Sequence, residues 1–207
     1  YAYEPFVFAK NKDKDSKNVY ADSMKYYVIS SLLICLGMIF YLDIFKLLIH
    51  ESYWSGLVII PIVLLSYLFQ GVYFNLSLWY KLVDKTYFGA IMSSIGFVIN
   101  VILLIVLVPL IGFMGAALAS LAAYTVMMII SYFLGNKYFP VNYPLLSIAK
   151  YFGIAVVLVA ISYLAITPWG WLNHIIRTIL LGVYLFYMIK TDLPLSSLPI
   201  IGKYFKK

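Results

Sequence analysis

Between Lys85 and Lys137 the chain runs for 51 residues without one Asp, Glu, Lys or Arg. A single helix of that length would overshoot a bilayer, whose hydrocarbon core of about 30 Å is crossed by about 20 residues at ~1.5 Å each. The run must therefore fold back once. Pro109 cannot donate a helical hydrogen bond and Gly112 accepts turn geometry, so residues 108–113 are expected to form the hinge of a hairpin. Its two arms are spans 86–108 and 112–134. In the second arm Gly115, Ala119 and Ala123 fall four apart, as do Gly112, Ala116 and Ser120. Small residues at that spacing let helix backbones approach closely in lipid.

Four more apolar stretches, at 24–43, 53–80, 147–166 and 172–189, predict further spans. Residues 10–17 form a polar loop with four lysines and two aspartates, and 44–52 an amphipathic shoulder with Lys46, His50 and Glu51. Pro61 predicts a kink near one end of its span, and Pro144 helps set the start of the fifth. Residues 167–171, Thr-Pro-Trp-Gly-Trp, read as a tight interfacial turn. The fold class is thus all-α, a polytopic transmembrane helix bundle of six spans. Residues 1–20 read as the end of a preceding helix and a cytosolic loop, 21–143 as four spans, 144–190 as two more, and 191–207 as a basic tail. The opening Tyr-Ala-Tyr-Glu-Pro-Phe-Val-Phe carries no signal-peptide pattern, and the expectation is the C-terminal part of a longer transporter.

The hairpin pattern Pro109-x-x-Gly112-x-x-Gly115-Ala116-Ala117-x-Ala119, preceded by Asn100, resembles the signature hairpin of the polysaccharide transport family. These are the Wzx-like flippases of the multidrug/oligosaccharidyl-lipid/polysaccharide exporter superfamily. Tyr3-Glu4-Pro5-Phe6 before a lysine-rich loop, and Lys85-Thr86 opening the hairpin, fit the same family. The resemblance covers nearly the whole chain and rests on order and spacing together. It implies translocation of undecaprenyl-pyrophosphate-linked oligosaccharide across the bacterial inner membrane for surface polysaccharide such as lipopolysaccharide O-antigen. It also implies a missing N-terminal lobe of the same chain, with two lobes rocking about a central cavity.

Composition agrees with a membrane protein: 64% of residues are hydrophobic, 11% are charged and the mean hydropathy is +0.96, against about 25% charged in soluble domains. The net charge of +7 comes from cations in short loops beside apolar spans, with no basic helix or aromatic-basic motif, so nucleic acid is not an expected partner. These cations instead set topology. Lys10, Lys12, Lys14, Lys17, Lys25, Lys81, Lys85, Lys137, Lys150, Lys190, Lys203, Lys206 and Lys207 are 13 lysines on one side, against Lys46 on the other; Arg177 completes the 15. The lysine-rich side is expected to be cytosolic, with both ends of the six-span unit there. The same lysines are also placed to attract anionic lipid headgroups.

No enzyme motif is present. His50 and His174 lie far apart without a His or Cys partner at metal spacing, and neither a Gly-x-Ser-x-Gly elbow nor a phosphate-binding Gly-rich loop occurs. No catalytic residue, metal or cofactor is expected, and the lone Cys35 suits helix packing. The short outward loops argue against a glycan polymerase or glycosyltransferase.

Arg177 lies five residues into its span, about 8 Å along the axis. A cation there either snorkels to the outer headgroups, beside His174 and Trp171, or meets an anionic lipid pyrophosphate in the substrate cavity. Gln70, Asn75 and Asn100 are neutral polar groups within apolar spans, suited to interhelical bonding or to lining a sugar-accepting cavity. Glu4 either caps a cytosolic helix end or couples transport to a proton or cation. Gly112, Gly115 and Ala119 are the expected helix-packing positions. Two other readings stand beside the flippase: a multidrug or cation exporter of the same superfamily, and a non-transport membrane scaffold or enzyme subunit.

Overall fold

A computed structural model of the chain describes residues 16–192, all of whose regular structure is helical. Glu4, the Tyr3-Glu4-Pro5-Phe6 stretch, Lys10, Lys12 and Lys14, and the basic tail from residue 193 lie outside the described residues. The long helices are α1 (Ser16–Phe40), α3 (Ile60–Leu76), α5 (Tyr87–Ile111), α6 (Phe113–Tyr138), α7 (Leu145–Leu164) and α8 (Gly170–Thr191). Short helices α2 (Leu42–Phe45) and α4 (Leu78–Leu82) and 3-10 turns at Lys46–Leu48 and Glu51–Ile59 connect them. Six segments are long and apolar enough to cross a membrane: Lys17–Phe40, Glu51–Leu82, Tyr87–Ile111, Phe113–Tyr138, Leu145–Leu164 and Gly170–Thr191. The protein is an all-α, multi-pass helix bundle.

Helix bounds differ from the expected spans where the helix outlasts the apolar stretch. α1 starts at Ser16, eight residues before the expected 24, and α6 runs on to Tyr138. Hydropathy marks the hydrocarbon slab, whereas backbone hydrogen bonding continues into the polar zone. The second span is divided. A 3-10 segment leads into α3, and a break at Ser77, whose hydroxyl donates to the Phe74 carbonyl at 2.7 Å, separates α3 from α4. Pro61 sits in the first turn of α3, where no intrahelical donor is required of it.

The hairpin turn falls inside the expected hinge, at its far end. α5 continues through Pro109 to Ile111, and the reversal falls on Gly112 alone, at φ +58° and ψ −138°. Its N–H still donates to the Val108 carbonyl at 2.8 Å. A proline near a helix end costs only one donor, while the positive φ demands glycine, so Gly112 decides where the chain turns. Gly112 is therefore a turn residue with open space around it, not a member of the packing stripe.

α6 packs on α5 and on α3; α3 packs on α1, and α1 on both α7 and α8. The face of α6 that enters this core carries Gly115, Ala119, Ala123, Met127 and Ser131, all buried and all four apart. A Cβ on Gly115 would lie 2.6 Å from the carbonyl carbon and oxygen of Leu107, so here two backbones touch. A second core, between α1, α3, α7 and α8, holds Ile29, Leu36, Phe40, Tyr151 and Tyr184. α5 buries only Met92 and Gly96, and presents Ile102, Ile105, Val106 and Leu110 outward.

Because the obstruction at Gly115 is main chain, it cannot yield as a side-chain tip would. Gly115→Ala is expected to cost about 1–3 kcal/mol through overpacking, and Gly115→Leu to abolish the folded form. Leu118→Ala, at a partly exposed position off the stripe, should cost less than Gly115→Leu. Thermal unfolding in detergent, followed by size exclusion, reads both; equal losses would contradict the contact.

Candidate functional site

The buried stripe of α6 enlarges along its length, from Gly115 through Ala119 and Ala123 to Met127. Helices α5 and α6 touch at Gly115, and further along the Met127 sulfur packs on Gly96. A cavity of about 750 Å³ fills the opening between α3, α5 and α6. From the N-cap Thr86 along α5, one side of the wall runs through Gly89, Ser93, Gly96, Asn100 and Leu104, about 27 Å at ~1.5 Å per residue, with Phe97 and Val101 beside it. Every third or fourth residue of that run is small or neutral polar until Leu104.

The other walls bring Gln70, Tyr73 and Phe74 from α3, and Ala123, Tyr124 and Met127 from α6. Tyr80 and Lys81 of α4 line the end from which α5 starts. The Gln70 side-chain amide donates to the Tyr124 hydroxyl at 2.9 Å, and the Asn100 amide donates to the Ser120 hydroxyl at 3.4 Å. Among the described residues, none that lines the cavity is acidic. The polar surface is thus made of amides and hydroxyls, with one cation at an end. Beyond that end, Trp79 stacks on Tyr138 at 5.3 Å between centroids and donates to Ser131 at 3.3 Å, while the Lys85 ammonium lies 4.0 Å from the Tyr138 ring centroid. This aromatic cluster fastens α4 to the last turns of α6.

Of the expected cavity residues, Gln70 and Asn100 come together here, and both bond another helix while facing the space. Asn75 does not join them. Its amide donates to the Gly71 carbonyl one turn back in its own helix at 3.2 Å, and its Oδ1 is buried without a hydrogen-bond partner among the described residues.

Arg177 also lies elsewhere. Its Nη1 donates to Asp43 Oδ2 at 2.7 Å and to the Phe40 carbonyl at 3.0 Å, tying α8 to the end of α1. It neither snorkels freely nor lines the cavity. α8 runs beside α1, which brings Asp43 within reach, and pairing is cheaper than holding a lone guanidinium inside the membrane edge. Sequence reasoning had both charges near the same membrane face, and their complementarity was the signal that could have joined them.

A second ion pair went unforeseen. Asp192, expected in the basic tail, accepts from the Lys25 ammonium of α1 and, at 2.5 Å, from the Tyr151 hydroxyl of α7. Midway between the two pairs, the buried Tyr184 hydroxyl donates to the Ile29 carbonyl at 3.0 Å. α8 is therefore held at both ends by ion pairs of opposite polarity, to α1 through Lys25 with Asp192 and to the adjoining α2 through Asp43 with Arg177, whose guanidinium also bonds the last carbonyl of α1.

Among the described residues, no group of three or more His, Cys, Asp and Glu comes together. Comparison with protein-family models, curated proteins and solved structures found no match.

The two ion pairs differ in exposure: the Asp192 side chain is 9% exposed, that of Asp43 66%. Removing one partner of a buried pair strands the other, whereas an exposed pair is weakened by water and salt. Asp192→Asn, which strands Lys25 and the Tyr151 hydroxyl, is expected to cost about 3 kcal/mol; Asp43→Asn should cost less, because Arg177, though only 14% exposed, keeps the Phe40 carbonyl and gains water on the open side that Asp43 occupies. Chemical or thermal unfolding in detergent checks the order, and a larger loss for Asp43→Asn would reverse the assignment.

Proposed function

We propose that this chain is part of a translocator that moves a lipid-linked oligosaccharide, of the undecaprenyl-pyrophosphate class, across the bacterial inner membrane. The observation that carries the reading is the cavity between α3, α5 and α6. At about 750 Å³ it falls within the range of small-molecule sites, about 300–1,000 Å³, and its hydrogen-bonding groups are neutral amides and hydroxyls set inside membrane-spanning helices. Hydroxyl-rich sugars are matched by such groups. Lys81, at one end, suits the anionic phosphate that links sugar to lipid.

All described lysines except Lys46 lie toward one end of the bundle, and the positive-inside bias supports a cytosolic position for that end. A lipid-linked substrate could then enter with its head in the cavity and its chain in the bilayer beside the apolar outer face of α5. The resemblance of the Pro109 to Ala119 hairpin and Asn100 to the polysaccharide transport family supports the same substrate. An N-terminal lobe would complete the route, with alternating access by rocking of the two lobes. For a cation or drug exporter, the lining among the described residues offers no carboxylate to meet a positive charge. The chain is read as a transporter, with no catalytic role.

Ser93→Leu and Asn100→Leu each replace a lining polar group by an apolar one. Loss of one hydrogen bond to the passing head group, about 1–1.5 kcal/mol, should slow translocation about tenfold. The measurement is the amount of lipid-linked oligosaccharide retained in the cytosolic leaflet of cells carrying the full-length protein, at matched protein level. Retention equal to that of the parent in both variants would remove the cavity as the route. Gain of resistance to cationic dyes on expression would favour the exporter.

A further inference from the structure

We propose that Gln70 and Tyr124 form a closed partition between two cavities lying end to end along α3 and α6; this rests on the reading that a solute crosses here. A second cavity of about 300 Å³ sits toward the hairpin turn, walled by Val63 and Ser66 of α3 and by Phe113, Ala116 and Ser120 of α6. The larger cavity begins immediately beyond it. On α3 the lining passes from Tyr67 to Gln70 within one turn, and on α6 from Ser120 to Ala123. Tyr124 belongs to both walls.

The groups that meet at this boundary are bonded to each other. The Gln70 amide donates to the Tyr124 hydroxyl at 2.9 Å, and beside them the Asn100 amide donates to Ser120 at 3.4 Å. Each bond is neutral and joins two different helices, so a small separation of α3 from α6 breaks the first without stranding a charge. A hydroxylated solute would then take the place of the lost partner, the Tyr124 hydroxyl and the Gln70 amide each bonding to it instead. Such a junction is shut when empty and is exchanged, group for group, when occupied. The two cavities would then join into one path from Lys81 to the hairpin turn.

Thiol labelling tests the partition in the full-length protein with Cys35→Ala, in sealed vesicles whose Lys81 end faces outward. A membrane-impermeant maleimide is added outside. Ala116→Cys, in the smaller cavity, should react slowly, and at least about fivefold faster when combined with Tyr124→Phe or, separately, with Gln70→Leu. Ser93→Cys, in the larger cavity, should react at the same rate in all three backgrounds, which also shows that the variants are folded. Labelling of Ala116→Cys at one rate in all backgrounds, fast or slow, would overturn the partition. If its rate rises as expected while the reconstituted protein moves no lipid-linked oligosaccharide, the partition stands and the transport reading fails.

Discussion

The cavity depends on one contact, the meeting of two backbones where Gly115 of α6 lies against Leu107 of α5. Inside a bilayer, apolar side chains gain little by leaving lipid for each other, so helices associate through close packing and hydrogen bonds. Gly115 fixes the pivot of the hairpin. From there the buried residues of α6 grow to Met127, which packs on Gly96 of α5, and the cavity lies along the small and polar positions of α5 as far as Gly89. Trp79 and Tyr138 brace the end far from the turn.

Charge is used at the ends of the bundle and excluded from its middle. The Lys25–Asp192 and Arg177–Asp43 pairs tie α8 to α1 and the adjoining α2, and the reversal of sign between them opposes a half-turn or end-for-end slip of one helix on the other. α7 joins the same unit through the Tyr151 hydroxyl on Asp192. These pairs hold α7 and α8 against α1, while α3, α5 and α6 surround the cavity with neutral groups. An unpaired ion at mid-membrane would be costly, and amides and hydroxyls bind polar solutes without that penalty.

Much of this was legible in the residues. The charge-free run between Lys85 and Lys137 required a hairpin, and the four-residue spacing of Gly115, Ala119 and Ala123 marked the face that packs. Gln70 and Asn100 stood out as polar groups in apolar surroundings and do line the cavity. Asn75 looked the same in sequence, yet turns back on its own helix, because composition does not say which face a residue occupies. Of the two residues that marked the hinge, Gly112 makes the break and Pro109 does not, since a missing donor bends a helix less decisively than a positive φ ends it. The partners of Asp192 and Arg177 were not legible for one reason: ion pairing depends on which helices are neighbours, and hydropathy carries no information on that.

A route for a polar head group between α3, α5 and α6 requires that water, not hydrocarbon, fills that space. Spin labels introduced singly at Ser93, on the cavity face, and at Ile105, on the outward face of α5, test it in lipid vesicles. Collision with a water-soluble nickel chelate should dominate at position 93, and collision with dissolved oxygen at position 105. Oxygen-dominated relaxation at both positions would mean that lipid occupies the groove and would contradict the account.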